Sequence, residues 1–231
     1  MQIANTEQFT GFSQQTLDFF KNILENNNKP WFEKNKSNYQ KFVITPFKNL
    51  VSDLGEMMLD IDPMFEIKPA VNKTISRIYR DTRFSKDKSL FRGNMWLTFK
   101  QPSKDWKVGP AFFFELFPDW YRFGMGFYQA SRQTMDNFRS EIDENPGEFL
   151  EVISFARNNN FYTLHADKYK RLIENSHPEE FQDWYQSKSF YLSSDRGIDD
   201  IIFSPKLVEE LIFGFIMLKP LYQFLMRVHV K

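Results

Sequence analysis

Apolar residues recur at helical spacing through the first third of the chain, and polar runs separate the groups. A first helix is predicted with Ser13 as its N-cap, ending in the run Asn26-Asn27-Asn28. Pro30 then falls in the first turn of a second helix. A third helix begins at Thr45-Pro46 and ends at Asp60-Ile61-Asp62-Pro63, with its apolar residues at the i, i+3, i+4, i+7 positions. The N-terminal third is therefore predicted to be helical.

The middle of the chain changes to short, aromatic-rich segments, at residues 95–99, 111–117 and 120–128. Segments of this length and composition are typical of strands, and Pro118-Asp119 supplies a turn between the last two. An antiparallel meander is the simplest arrangement. In residues 120–128 bulky side chains alternate onto both faces, so helices are expected to cover the sheet.

Helical spacing returns after Ser131 and again after Pro146. A C-terminal core helix is predicted from Ser204-Pro205 towards Pro220. This order of elements predicts an α+β fold with a mainly antiparallel, aromatic-rich sheet, in a single domain over residues 1–231. Shorter elements are predicted as strands at residues 161–164, 188–192 and 201–203, and as a helix at residues 178–185.

Composition adds three constraints. Aromatic residues make up 18% of the chain, with 27 Phe, so rings are expected to build much of the core. The absence of cysteine excludes disulfides, thiolate metal sites and thiol nucleophiles. Residues 1–7 have neither the basic nor the apolar region of a secretory signal, and the most apolar run, residues 211–218, is shorter than the roughly 20 residues of a membrane span. A cytoplasmic protein without a membrane segment is expected.

Positive charge is concentrated in one window, residues 73–92. This window holds seven Lys or Arg and two Asp, a local charge of +5, whereas the whole chain has a net charge of +0. A cationic cluster on a neutral background indicates one anionic ligand and not a generally basic protein. The candidate ligand-binding residues are Arg77, Tyr79, Arg80, Asp81, Arg83, Lys86 and Lys88.

The cluster has three interpretations. The arginines can present guanidinium groups to a phosphate or carboxylate, with the lysines as additional point charges. The same cations can instead contact a nucleic-acid backbone or an acidic protein, although a pI near 6.9 is low for a nucleic-acid-binding domain. Asp81 and Asp87 can also pair with neighbouring cations and hold the junction of a strand (residues 75–84) and a loop in a purely structural network. If the site is catalytic, Asp81 would orient the guanidinium groups and Tyr79 would be the proton donor.

Two sequence patterns carry a resemblance to a known family. The pattern Arg77-x-x-Arg80-Asp81-x-Arg83-Phe84-x-x-x-Lys88-x-x-Phe91 resembles the signature Arg-x-x-Arg-Asp-x-Arg-Phe-x-x-x-Lys-x-x-Tyr of a bacterial family, domain-of-unknown-function family 2461. Asn27-Asn28-Lys29-Pro30-Trp31-Phe32 is similar to the family's Asn-Asn-x-x-Trp-Phe. Because Phe91 stands where the family has Tyr, no role that needs a hydroxyl group there applies to this chain.

A third pattern supports the same resemblance. Gly124-Met125-Gly126-Phe127-Tyr128, followed by Arg139, is similar to the family's Gly-x-Gly-x-Tyr and later Arg. The resemblance covers most of the chain and implies no activity. Taken alone, the two glycines lack the third glycine and the capped helix of a dinucleotide fingerprint, and they are interpreted as relieving crowding in an aromatic strand or permitting a bulge.

No other motif indicates a cofactor or a metal. The three histidines are dispersed, without the spacing of metal ligands on a helix. Asp60-x-Asp62 and Asp199-Asp200 lie at expected helix ends or turns, where Asp is common. The sequence therefore predicts no cofactor and no metal site, and it leaves the reaction and the oligomeric state open.

Overall fold

The structure is a computed structural model that describes residues 7–83, 85–102, 109–155 and 161–230. The strands form one sheet of five antiparallel strands in the order β1-β2-β3-β5-β4. The α+β prediction and the three-stranded meander are therefore confirmed. The strands are β1 (Met95–Phe99), β2 (Pro110–Leu116), β3 (Trp120–Phe127), β4 (Thr163–Lys168) and β5 (Ser187–Gly197).

The N-terminal third is helical, as predicted. Ser13 is the N-cap of the first helix, and its N–H donates to Thr16 Oγ1 at 3.2 Å. Asn28 caps the second helix, where its side chain accepts from the Trp31 N–H at 3.0 Å. The helices are α1 (Gln14–Glu25), α2 (Lys29–Lys34), α3 (Lys36–Asn38), α4 (Thr45–Ile61), α5 (Arg132–Glu144), α6 (Pro146–Val152), α7 (Glu179–Tyr185) and α8 (Lys206–Val230), with a π-helical segment (Tyr39–Ile44) before α4.

One short strand prediction was wrong. Residues 201–203 form turns. Ile202 is buried, and its carbonyl accepts a hydrogen bond at 2.9 Å from the N–H of Phe12, a residue distant in sequence that lies outside the sheet. A buried apolar residue in a turn gives the same local pattern as a short strand, which is why the sequence misplaced it.

The backbone groups into two compact units. The first comprises the described residues of Met1–Phe99, Phe113–Arg122 and Asp195–Phe213, and the second those of Lys100–Phe112, Phe123–Ser194 and Gly214–Lys231. Because these ranges interleave, each unit is made of segments that are distant in sequence. The single domain predicted for residues 1–231 stays a prediction.

Rings build the core of each unit. In the first, Phe12 lies 5.0 Å from Phe47 and 5.9 Å from Phe114, measured between ring centroids. In the second, Phe149 makes edge contacts with Phe138 at 5.5 Å and Phe181 at 5.1 Å. Edge and offset contacts of this kind add to the stabilisation from burial. The prediction that aromatic rings build much of the core is therefore confirmed.

The long helix α8 is a core helix. It runs for 25 residues with Pro220 inside it, and residues of its buried face include Leu211, Phe215, Leu218 and Leu225. By length and composition alone, Lys206–His229 is apolar enough to cross a membrane, with a mean hydropathy of 1.4, and half of that window is buried inside the fold. A buried core helix has the same signature, so the absence of a membrane segment stays a prediction.

Gly124 and Gly126 lie in β3, packed against the backbone of β5. A Cβ atom at Gly124 would lie 1.8 Å from the carbonyl oxygen of Leu192, and one at Gly126 would lie 2.3 Å from the Cα of Tyr191. The interpretation of these glycines as relieving crowding in an aromatic strand is therefore confirmed. Neither glycine belongs to a phosphate-binding turn.

Gly124→Ala is expected to lower the free energy of unfolding by about 3 kcal/mol, because the new methyl group overlaps a backbone atom that cannot rotate away. Gly147→Ala is the matched control. A Cβ at Gly147 meets nothing within 4 Å, and it lies in α6, so alanine there should stabilise by up to about 1 kcal/mol. Urea unfolding measures both changes, and equal losses in the two variants would contradict the packing argument.

Candidate functional site

Residues 77–91 are called here the basic loop, and the two ends of this segment pair as short antiparallel arms. The Arg80 N–H donates to the Leu90 carbonyl, and the Arg92 N–H donates to the Ile78 carbonyl, each at 2.9 Å. A bridge pairs Tyr79 with Phe91. The regular strand expected for residues 75–84 is absent from its described part, because the pairing stops after Arg80 and the chain turns.

The arms rest on an apolar base. Ile78 and Phe91 are buried. The ring of Phe91 stacks on Phe32 of α2 with a centroid distance of 4.6 Å and an interplanar angle of 24°. The base of the loop is therefore fixed against α2 by ring packing.

Asn27 fixes the second arm. Its Oδ1 accepts hydrogen bonds from the N–H groups of Leu90 at 2.6 Å and Phe91 at 2.9 Å, and its Nδ2 donates to the Phe91 carbonyl at 3.0 Å. One side chain thus satisfies three backbone groups that have no regular strand partner. Asn27 and Phe32 belong to the sequence pattern at residues 27–32, and the basic loop is the pattern at residues 77–91. In the structure these two patterns are in contact.

The carboxylates of the loop are held by its own arginines. Arg83 binds Asp81 in a bidentate pair, with Nε to Oδ1 at 2.9 Å and Nη2 to Oδ2 at 2.7 Å. Arg80 donates through Nη1 to Asp87 and, at 2.8 Å, to the hydroxyl of Ser89. Asp81 therefore orients one guanidinium group, that of Arg83.

These hydrogen bonds favour the ionised carboxylates. The side-chain hydrogen bonds from Arg83 hold the pKa of Asp81 well below its usual range. The pKa of Asp87 is also lowered, first by the Ser89 N–H, which donates to its Oδ1 at 2.9 Å, and further by Arg80. Both carboxylates thus remain charged at neutral pH.

The remaining cations of the loop form no close ion pair within the described parts of the chain. Lys88 Nζ donates to the Thr82 carbonyl at 2.9 Å, which uses one of its three donors. Arg77 and Lys86 are exposed and form no ion pair with the described residues, although the charge of Arg77 contributes to the lowered pKa of Asp81. Five cationic side chains and two carboxylates leave the loop with a net charge of +3.

Tyr79 is the partly exposed ring of the loop's apolar base. Its ring packs against Phe32 at 5.6 Å and Phe91 at 4.8 Å, yet 43% of the residue is exposed. Phe84, part of the sequence signature, lies outside the described residues.

The basic loop contains Tyr79 and the six predicted charged residues, and ion pairs join Arg83 to Asp81 and Arg80 to Asp87. Sequence reasoning missed Asn27, Phe32 and Ser89 as residues that hold the loop. The pattern Asn27 to Phe32 was the available signal, but nothing in the spacing showed that it contacts residues about 60 positions later.

Arg139, the arginine of the third sequence pattern, has a structural position. Its side chain is 8% exposed; Nη1 donates to the carbonyls of Tyr185 at 3.4 Å and Ser187 at 3.2 Å, and Nη2 to Asp136 at 2.6 Å. It therefore connects α5 to the junction of α7 and β5.

The histidines are separate, as expected. His177 Nε2 lies 2.6 Å from Asp143 Oδ1, and His165 Nε2 lies 2.9 Å from the Ser193 hydroxyl. Within the described ranges, no group of three or more His, Asp or Glu is arranged to hold a metal ion.

Asn27→Ala is expected to lower the free energy of unfolding by about 2 kcal/mol, because it leaves backbone groups of Leu90 and Phe91 without partners. It should also speed tryptic cleavage after the basic residues of the loop. Asn26→Ala is the matched control, since that side chain makes one hydrogen bond, to the Asn22 carbonyl. Urea unfolding and limited proteolysis are the measurements, and a change no larger than that of the control would show that Asn27 does not hold the arm.

A search of curated proteins finds no similar sequence. The family model described as conserved hypothetical protein DUF2461 matches residues 15–224, a range that includes all but the first residue of α1, the basic loop, the sheet and most of α8. The resemblance first seen in the short patterns therefore extends over nearly the whole chain, and this protein belongs to the DUF2461 family.

Proposed function

We propose that the basic loop binds a small anionic ligand that carries a phosphate or carboxylate group. The observation that carries this proposal is the division of the loop's charges. Asp81 and Asp87 form ion pairs with Arg83 and Arg80. Arg77, Lys86 and Lys88 form no ion pair with the described residues, although the charge of Arg77 also acts on Asp81 at longer range. The loop therefore keeps donors and positive charge for an external anion.

The internal ion pairs support binding in a second way. The bidentate Asp81–Arg83 pair and the bonds from Arg80 to Asp87 and Ser89 restrict the loop. Asn27 and Phe32 fix its base. Restricting the loop before the ligand arrives reduces the entropy lost on binding.

The purely structural interpretation, in which the cations serve only in exposed ion pairs, explains the charge of the loop less well than anion binding does. Arg83 and Asp81 are 77% and 45% exposed in their side chains, and such surface pairs contribute little to stability. A purely structural role also does not explain why Arg77 and Lys86 are present. Binding of an anion gives all five cations a role. We infer that this binding takes place in the cytoplasm, and we propose no reaction.

The test is a titration of the protein with pyrophosphate at low ionic strength, in which isothermal titration calorimetry measures the binding affinity. The double variant Arg77→Ala with Lys86→Ala should weaken binding by about tenfold or more, because two charge-assisted hydrogen bonds are lost. Its thermal stability should stay close to that of the wild type, since both side chains are exposed.

The matched control is Lys34→Ala with Lys206→Ala, which removes the same charge from two exposed positions outside the loop. Equal weakening in both double variants would show general attraction without a site. If pyrophosphate does not bind, and a single-stranded oligonucleotide binds with an affinity that falls steeply with salt, the small-ligand proposal is wrong and nucleic acid is the ligand.

A further inference from the structure

Tyr79 is the outermost member of a series of packed rings. Tyr39 is buried and packs on Phe32 at 5.4 Å; Phe32 stacks on Phe91 at 4.6 Å; Phe91 packs on Tyr79 at 4.8 Å. The first three rings are at most 7% exposed, whereas Tyr79 is 43% exposed. The series therefore runs from the core to the solvent, and its outermost ring is partly open.

This ring is unusually well fixed for an exposed side chain. Two rings contact it, Phe32 edge-on at 68° and Phe91 tilted at 47°, and its backbone is paired with that of Phe91. An immobilised aromatic surface loses little entropy when a planar group stacks on it. Arg77 lies two residues before Tyr79, and Arg80 directly follows it.

We propose that the ligand of the basic loop is a nucleotide, with its base stacked on Tyr79 and its phosphate bound by Arg77, Lys86 and Lys88. This inference rests on the proposed anion-binding function and adds the class of the ligand. A purine or pyrimidine ring continues the series of rings by one member, and base stacking on aromatic side chains is strong and tolerant of the base. An anion without an aromatic ring makes no use of the fixed and partly exposed surface of Tyr79.

Phe91 fits this assignment. Its ring is buried and packs on both Phe32 and Tyr79. The contribution of Phe91 is therefore a packing surface that supports the ring of Tyr79.

The experiment compares three probes by calorimetry: adenosine 5′-monophosphate, ribose 5-phosphate, which lacks the base, and adenosine, which lacks the phosphate. The nucleotide should bind about tenfold more tightly than ribose 5-phosphate, which is the size of one stacking interaction. Adenosine should bind more weakly than the nucleotide, since it has no group for the cations.

Tyr79→Leu should abolish the preference for the nucleotide over ribose 5-phosphate, because leucine keeps the contacts with Phe32 and Phe91 but has no ring. Tyr79→Phe should keep the preference. Tyr128→Leu is the control, since Tyr128 is 73% exposed and lies in another part of the sequence. Thermal unfolding shows whether each variant is folded; the comparison of the three probes on the wild-type protein is decisive even if Tyr79→Leu does not fold.

The outcomes separate the two proposals. Equal affinity for the nucleotide and ribose 5-phosphate overturns the nucleotide assignment and leaves the anion site intact. A preference that persists in Tyr79→Leu also overturns it, because the base then binds elsewhere. If neither phosphate compound binds the wild-type protein, the anion-binding function itself is wrong.

Discussion

The position of the basic loop depends on the contact between Phe32 and Phe91. These two rings stack at 4.6 Å and join segments that are 59 positions apart in sequence. Without this contact, two short arms held by a few backbone hydrogen bonds would have no apolar base, and isolated hairpins of this size are marginal in water. The three hydrogen bonds of Asn27 then set the register of the second arm against α2. Ring packing thus attaches the loop to α2, and the side-chain amide of Asn27 aligns its second arm.

Because uncharged groups hold the base of the loop, its uncharged and charged side chains have different roles. Because the base is fixed by uncharged groups, the charged side chains are not needed to hold the arms together. Asp81 and Asp87 act locally, on arginines two and seven residues away in sequence. The cations that lack such partners can then serve recognition. A loop attached to the fold by its own ion pairs could not release them to a ligand without losing its shape.

Much of the fold could be predicted from the sequence, because its signals are local. The cap at Ser13, the proline in the first turn of α2 and the short aromatic-rich segment that forms β1 each depend on neighbouring residues. The strand predicted at residues 201–203 failed because a buried turn residue such as Ile202 has the same local pattern as a strand. The composition of the basic loop was also visible in the sequence. Its internal geometry was not, since the same spacing is compatible with arginines that converge on a ligand and with arginines that pair with Asp81 and Asp87.

The low pKa values of the two loop carboxylates have a consequence for how the site responds to acidity. Asp81 and Asp87 stay ionised because hydrogen bonds from Arg83 and Ser89, respectively, favour their charged forms. Protonation of these groups therefore does not change the charge of the loop between about pH 5 and pH 8. A phosphate monoester, in contrast, loses its second proton near pH 6. If the ligand of the proposed site is a phosphate monoester, acidity in this range changes the charge of the ligand and leaves that of the loop's carboxylates constant.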